Sequence, residues 1–209
     1  MRPHELHASI QSIKKIFAGA LFDAQEILVL RRLLQVQNEA GVNASLNEAG
    51  AGGAAIIVRN ALIARLVLLV SRCFPKSRTG DRHLREAVEL LKDGDVRTRF
   101  SIDENALSTA IDSFSSLLAD HRQERIKNFR DKFTAHLGDP EDKPMPNFKE
   151  LFDFSTELAN CIEALARAVK LTSDSVSENA DADNQAQLFW GPWIKDRPKL
   201  AIADTAEAK

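Results

Sequence analysis

Arg130 and His136, a fixed cation and a titratable imidazole near the end of a predicted long helix, are the sharpest chemical signal in this sequence. They bracket the run Arg130-Asp131-Lys132-Phe133-Thr134-Ala135-His136, inside a longer stretch from Glu124 to Gly138 that reads ERIKNFRDKFTAHLG. An unperturbed imidazole titrates near neutrality, at about 6.5, so His136 can take or give a proton under ordinary conditions. A guanidinium keeps its charge and presents a planar fork that binds two phosphate oxygens together. Six residues separate the pair, and at about 100° per residue they lie roughly 120° apart around a helix. They form no tight pair within one helix, and both line one groove only if a second surface closes over them.

The surroundings of the pair are basic. From His121 to His136 five Lys or Arg stand against two acids, on a chain whose net charge is -2. Arg125 and Lys127 belong to this run. Arg65 and Arg72, seven residues apart, share one face of a separate apolar helix and could point into the same cleft. Such cations can hold a nucleic-acid backbone through its phosphates. The plainer alternatives are a solvated face laced with salt bridges, and for Arg65 and Arg72 snorkelling or pairing with an acid. His136 also continues the Phe129–Phe133 stripe, so a core-edge histidine at a helix C-terminus is the alternative there.

Other chemistry is thinly represented. His4 and His7 lie three apart near the N-terminus, without the further ligands of a metal site. The chain has no glycine loop followed by Lys-Ser/Thr, no HExxH and no nucleophile elbow, so no metal and no cofactor are expected. Cys73 and Cys161 are far apart, each in an apolar helical pattern, and read as small buried hydrophobes.

The elements that position these groups are helical. Leu6, Ile10, Ile13, Phe17, Ala20, Ala24, Ile27 and Leu30 recur in steps of three and four, predicting a long amphipathic helix from His4 to about Gln37. Gly41 to Gly53 is rich in glycine and asparagine and reads as a loop. Ala54 to about Cys73 is apolar on most of its circumference, which predicts a central helix stopped by Pro75. A short helix from about Asp81 to Lys92 follows. Ser101 with Glu104 then marks the start of a helix running towards Leu137, its stripe thinning between Ala119 and Arg125 where a bend is expected. Gly138, Asp139 and Pro140 end it. Asn147 with Glu150 opens the last helix, in which Phe148, Leu151, Leu158, Ile162, Leu165 and Val169 are in register. No stretch alternates with a period of two. The expected fold is all-α, a four-long-helix bundle with one extra short helix.

Two regions follow from this pattern, a bundle over residues 1–171 and an acidic linker with a tryptophan-containing tail over 172–209. Ser173 to Gln187 holds four acids and no Lys or Arg, the composition of a disordered linker. Leu188 to Ile194 contains both tryptophans, Trp190 and Trp193. It either docks back on the bundle or serves as a short motif for a partner.

With 209 residues, 44% hydrophobic and 28% charged, the chain can bury a sizeable core and does not coat nucleic acid by bulk charge. The N-terminus lacks the apolar run of a secretory signal. Arg59, Arg65 and Arg72 interrupt the most lipid-like stretch, leaving pieces shorter than the roughly 18 apolar residues of a spanning helix. A cytoplasmic protein without membrane contact is expected.

The run FRDKFTAHL resembles the Arg-x4-6-His signature of the HEPN superfamily, the small helical domains of many prokaryotic toxin and phage-defence systems. It is most similar to the abortive-infection U-type (AbiU-like) branch, whose signature is close to Arg-Asn-Lys-x-x-Ala-His. The stretch NALIARLVLLVSRCF and the short helix after it are also similar, and the resemblance covers roughly residues 5 to 170. It implies a metal-independent endoribonuclease acting as a homodimer, with RNA as substrate and a cognate antitoxin or other protein as partner. Arg130 and His136 would be catalytic, Asp131 and Lys132 auxiliary, and Lys127, Arg125, Arg65 and Arg72 would contact RNA. Where the branch most often carries Asn after the arginine, this chain carries Asp131. A carboxylate repels a phosphate, so Asp131 either orients Arg130 or His136, or marks a non-catalytic HEPN-like module that binds a protein or nucleotide.

Overall fold

A computed structural model describes residues 2–75, 83–100, 102–131 and 145–194, all helices and their connections, with no strand among them. The order is α1 (Pro3–Gln37), α2 (Ala40–Glu48), α3 (Gly52–Ser71), α4 (Leu84–Leu90), α5 (Gly94–Arg97), α6 (Glu104–Ala119), α7 (His121–Phe129), α8 (Phe148–Ala168), α9 (Val176–Ala180) and α10 (Ala182–Trp190), ending in a 3₁₀ turn over Gly191–Trp193. The all-α bundle expected from the pattern is the fold observed, with α1, α3, α6 and α8 as its long helices.

The axis of the bundle is α1. Its stripe of Ile13, Phe17, Ala20, Ala24 and Ile27 is buried, and the helix packs against α3, α4, α8, α9 and α10. Phe114 of α6, Ile126 of α7 and Phe154, Leu158 and Ile162 of α8 complete the core. Phe74, just past α3, stacks on Phe114 and tilts against Phe154, both at 5.7 Å between ring centroids.

The expectation that the Ala54–Cys73 helix sits centrally is corrected. Only the face of α3 carrying Leu66, Val67, Leu69 and Val70 is buried, while Ile56, Ile57 (72% exposed) and Leu68 face outwards. Apolar residues all round a helix signal burial only when neighbours exist for every face. α3 has α1 on one side and α7 beside it, and the described residues leave its other side uncovered. It is also the one described helix long and apolar enough to cross a membrane by length and composition.

Two stretches expected to be irregular are ordered. Within Gly41–Gly53, residues Ala40–Glu48 form α2, anchored by buried Val42 and Leu46. The turn into α3 passes through Gly50 at φ 70°, a conformation that favours glycine. The reading of Ser173–Gln187 as a disordered linker is likewise overturned. Ser175 caps α9 by accepting from the Glu178 amide, Asp181 takes the left-handed region (φ 44°), and α10 follows. Both helices lie on α1, because Val176, Ala180 and Ala186 are small enough for close approach and are buried there. Trp190 docks back, as one of the two readings of the tail proposed. It is buried, and its Nε1 donates to the Leu33 carbonyl at 2.9 Å. With Val36, Val42, Leu46, Ala55 and Ala186 it makes a second, smaller core.

The thinning stripe after Ala119 is a true break. Asp120 is extended (φ -72°, ψ 131°) and ends α6 while capping α7, its carboxylate accepting from the Arg122 amide. Asp103 caps α6 by accepting from the Ala106 amide, and the Asn147–Glu150 capping box starts α8 as its spacing predicted.

Candidate functional site

Three of the basic residues singled out by sequence lie on α7 and its C-terminal edge. Arg125 reaches across to α8, where Nη1 donates to Glu150 Oε1 at 2.7 Å. Glu150 is held below the usual carboxylate range, first by the Asn147 amide and then by Arg125. Lys127, two residues on, is exposed. At Arg130 and Asp131 the backbone widens into a π-helical turn, a feature frequent at functional sites. The Arg130 side chain is 24% exposed, and its Nε and Nη2 donate to Asp131 Oδ1 at 2.7 and 2.5 Å. One edge of the guanidinium fork is thereby occupied. Lys132 and His136 lie outside the described residues.

Arg65 and Arg72 each pair with an acid of α1. Arg65 binds Glu26 of α1 through two bonds, Nε–Oε1 at 2.6 Å and Nη2–Oε2 at 2.8 Å. The hydrogen bonds lower the Glu26 carboxyl and raise the Arg65 guanidinium from their ordinary values. Arg72 binds Asp23, which is only 5% exposed. Both guanidiniums are thus turned onto α1, which is the acid-pairing alternative that the sequence left open. These pairs set the antiparallel register of α1 and α3, since Glu26 and Asp23 descend one helix as Arg65 and Arg72 climb the other.

Sequence reasoning missed the knot that orients α7. The Arg122 guanidinium binds Asp120 through Nε (2.9 Å) and Nη2 (2.6 Å) and Glu157 of α8 through Nη2 (2.7 Å), and it lies 5.3 Å over the Phe154 ring. Arg122 holds the Asp120 carboxyl below the usual range, and the two acids raise Arg122. The available signal was an Asp, a preferred helix cap, two residues before an Arg where the apolar stripe failed. Burial pushes the Cys73 and Cys161 thiols up to about 12, so neither is a thiolate nucleophile at neutral pH.

Two surface cavities flank α8, and neither includes Arg130 in its lining. One of about 500 Å³ lies between α6 and α8, lined by Ser113, Ser116, Asp120, Glu157 and Asn160 among others. The other, about 390 Å³, lies between α1, α8 and the C-terminal helices and is lined in part by Arg31 and Arg32.

Among known proteins, a family model of HEPN domains described as AbiU2 (HEPN_AbiU2) matches residues 11–186, a span that takes in α9 and the first half of α10. No curated protein and no solved structure matches the chain.

Proposed function

The chain belongs to the AbiU2 family of HEPN domains, and from that premise we propose that it is a metal-independent endoribonuclease, the effector of a toxin–antitoxin or phage-defence system, acting as a homodimer through Arg130 and His136. The observation that carries this reading is the family match across a span containing both residues. The partly buried guanidinium of Arg130, held at a π-helical turn, is consistent with it.

The chemistry requires only side chains and the substrate. His136 takes the proton of an RNA 2′-hydroxyl, and the 2′-oxygen forms a bond to the adjacent phosphorus. The bond from phosphorus to the 5′-oxygen breaks, leaving a 2′,3′-cyclic phosphate, and the departing oxygen takes up a proton. Arg130 binds non-bridging oxygens and offsets the charge that builds on them. Dependence on the 2′-hydroxyl selects RNA over DNA. Lys127, exposed and without an ion-pair partner among the described residues, follows the backbone, whereas Arg125, Arg65 and Arg72 serve first as cross-helix ties.

The uncovered face of α3 supports the homodimer. Ile57 and Leu68 lie on that face, and Phe22 of α1 is also exposed. An apolar surface of this kind favours a partner.

A second reading has its own observation. Asp131 occupies the edge of Arg130 that would grip a phosphate side-on, which favours a non-catalytic module that binds a protein or nucleotide.

The test is cleavage of structured and unstructured RNA by purified protein in excess EDTA, beside Arg130→Ala and His136→Ala. Products ending in 2′,3′-cyclic phosphate, lost in both variants while each remains dimeric, are expected. A dimer inert across broad conditions selects the binding module.

A further inference from the structure

We propose that the cavity between α1, α8 and the C-terminal helices is a binding site for a small phosphate monoester. The proposal stands independently of any reaction at Arg130. Its basis is an unmet charge in the cavity wall. Arg31 Nη1 donates to Thr156 Oγ1 at 2.9 Å, but its Nε is buried without an acceptor. Among the described residues no carboxylate pairs with Arg31. Asp153 senses its charge but is bound by Lys149 at 2.5 Å. A guanidinium partly removed from water and lacking a counter-ion is costly, and an anion in the adjoining space offsets that cost.

The neighbouring groups fit the same ligand. Arg32 lines the cavity and, among the described residues, pairs with Asp183, whose side chain is 83% exposed and so is easily given up to water. Ser177 and Asn160 add a hydroxyl and an amide to the lining, while the Thr156 hydroxyl is spent on the Phe152 carbonyl. Two guanidiniums against one releasable carboxylate match the two charges of a phosphate monoester better than the single charge of a carboxylate. Its three terminal oxygens also suit a wall rich in donors. No aromatic ring lines the cavity, and about 390 Å³ leaves room for a phosphate with a small appendage such as a sugar. Because Nε is closed off by the protein, the ligand meets the outer edge of Arg31. The phosphate displaces Asp183 from Arg32.

Isothermal titration of the full chain with inorganic phosphate and with ribose 5-phosphate, at constant ionic strength, tests this, with sodium acetate as control. One ligand per chain is expected, with affinity reduced at least tenfold in Arg31→Gln and in Arg32→Gln and increased several-fold in Asp183→Asn. Ribose 5-phosphate binding more tightly than inorganic phosphate identifies an esterified ligand, and equal binding identifies free phosphate. Arg32→Gln alters a surface side chain, so it decides the matter if Arg31→Gln fails to fold. The proposal is overturned if neither the natural chain nor Asp183→Asn binds saturably, if both arginine variants bind unchanged, or if acetate binds as well as phosphate.

Discussion

Arg130 donates from Nε to the carboxylate of its neighbour Asp131 at 2.7 Å, so the residue suited to gripping a phosphate already grips an acid of its own chain. The pair is not deeply buried, with Asp131 42% exposed, so it can open when a stronger anion arrives. If the chain is the ribonuclease proposed above, Asp131 competes with RNA for this guanidinium edge.

Removing that competitor should raise activity. Asp131→Asn restores the amide most common in the family and frees Arg130. A half-exposed pair is worth about 1 kcal/mol, so kcat/KM for RNA should rise about fivefold. Steady-state cleavage of a labelled RNA measures it, and a fall instead would assign Asp131 to holding Arg130 in place.

The α1–α3 register rests on a buried acid. Arg72→Met leaves Asp23 without its partner in a nearly closed site, which should cost about 3 kcal/mol in urea unfolding. The double variant Asp23→Leu with Arg72→Met should recover most of that loss. No recovery would show that Arg72 matters for its packing and not for its charge.

The C-terminal helices should behave as part of the folded body. Trp190→Ala empties the centre of the second core and should destabilise the chain by about 3–5 kcal/mol. Limited proteolysis of the natural chain should spare the region between Ser173 and Trp190. Rapid cleavage there would contradict the packing of α9 and α10 on α1.

The bend at Asp120 should respond to acid. Arg122 depresses the folded-state value of this carboxyl, so the stabilisation is fully present above the unfolded value of about 3.9 and is lost as pH falls through the lower folded value. Asp120→Asn keeps a good helix cap while removing the charge. The variant should be less stable at neutral pH and lose less stability than the natural chain between about pH 4 and 2. Parallel slopes in denaturant unfolding across that window would count against the Arg122 pair.

The long helices were legible because residues such as Ile13, Phe17 and Ile27, or Leu151, Leu158 and Ile162, repeat at helical spacing and point at one core. α2 was hidden by its glycines and asparagines. Val42 and Leu46 are its only buried anchors, and a nine-residue helix depends on tertiary packing more than on propensity. α9 and α10 were missed because they bury small residues, Ala180 and Ala186, beneath an acidic outer face that looks unstructured by composition. The position of α3 was misread because a pattern shows that a face is apolar and not whether anything covers it. At the candidate site, the family signature was legible in a few residues. The true partners of Arg65 and Arg72 were not, since Glu26 and Asp23 lie 39 and 49 residues away in the chain.

The break at Asp120 decides which helix Arg130 follows. Had α6 continued, the basic run would ride rigidly on it. Instead α7 is cross-tied to α8 at two rungs, Arg122 to Glu157 and Arg125 to Glu150. The same α8 carries Thr156, which holds Arg31 at the wall of the C-terminal cavity. Arg122, Arg125 and Arg31 are thus all tied to one helix, so the placement of α8 bears on the basic run of α7 and on the wall of the C-terminal cavity together.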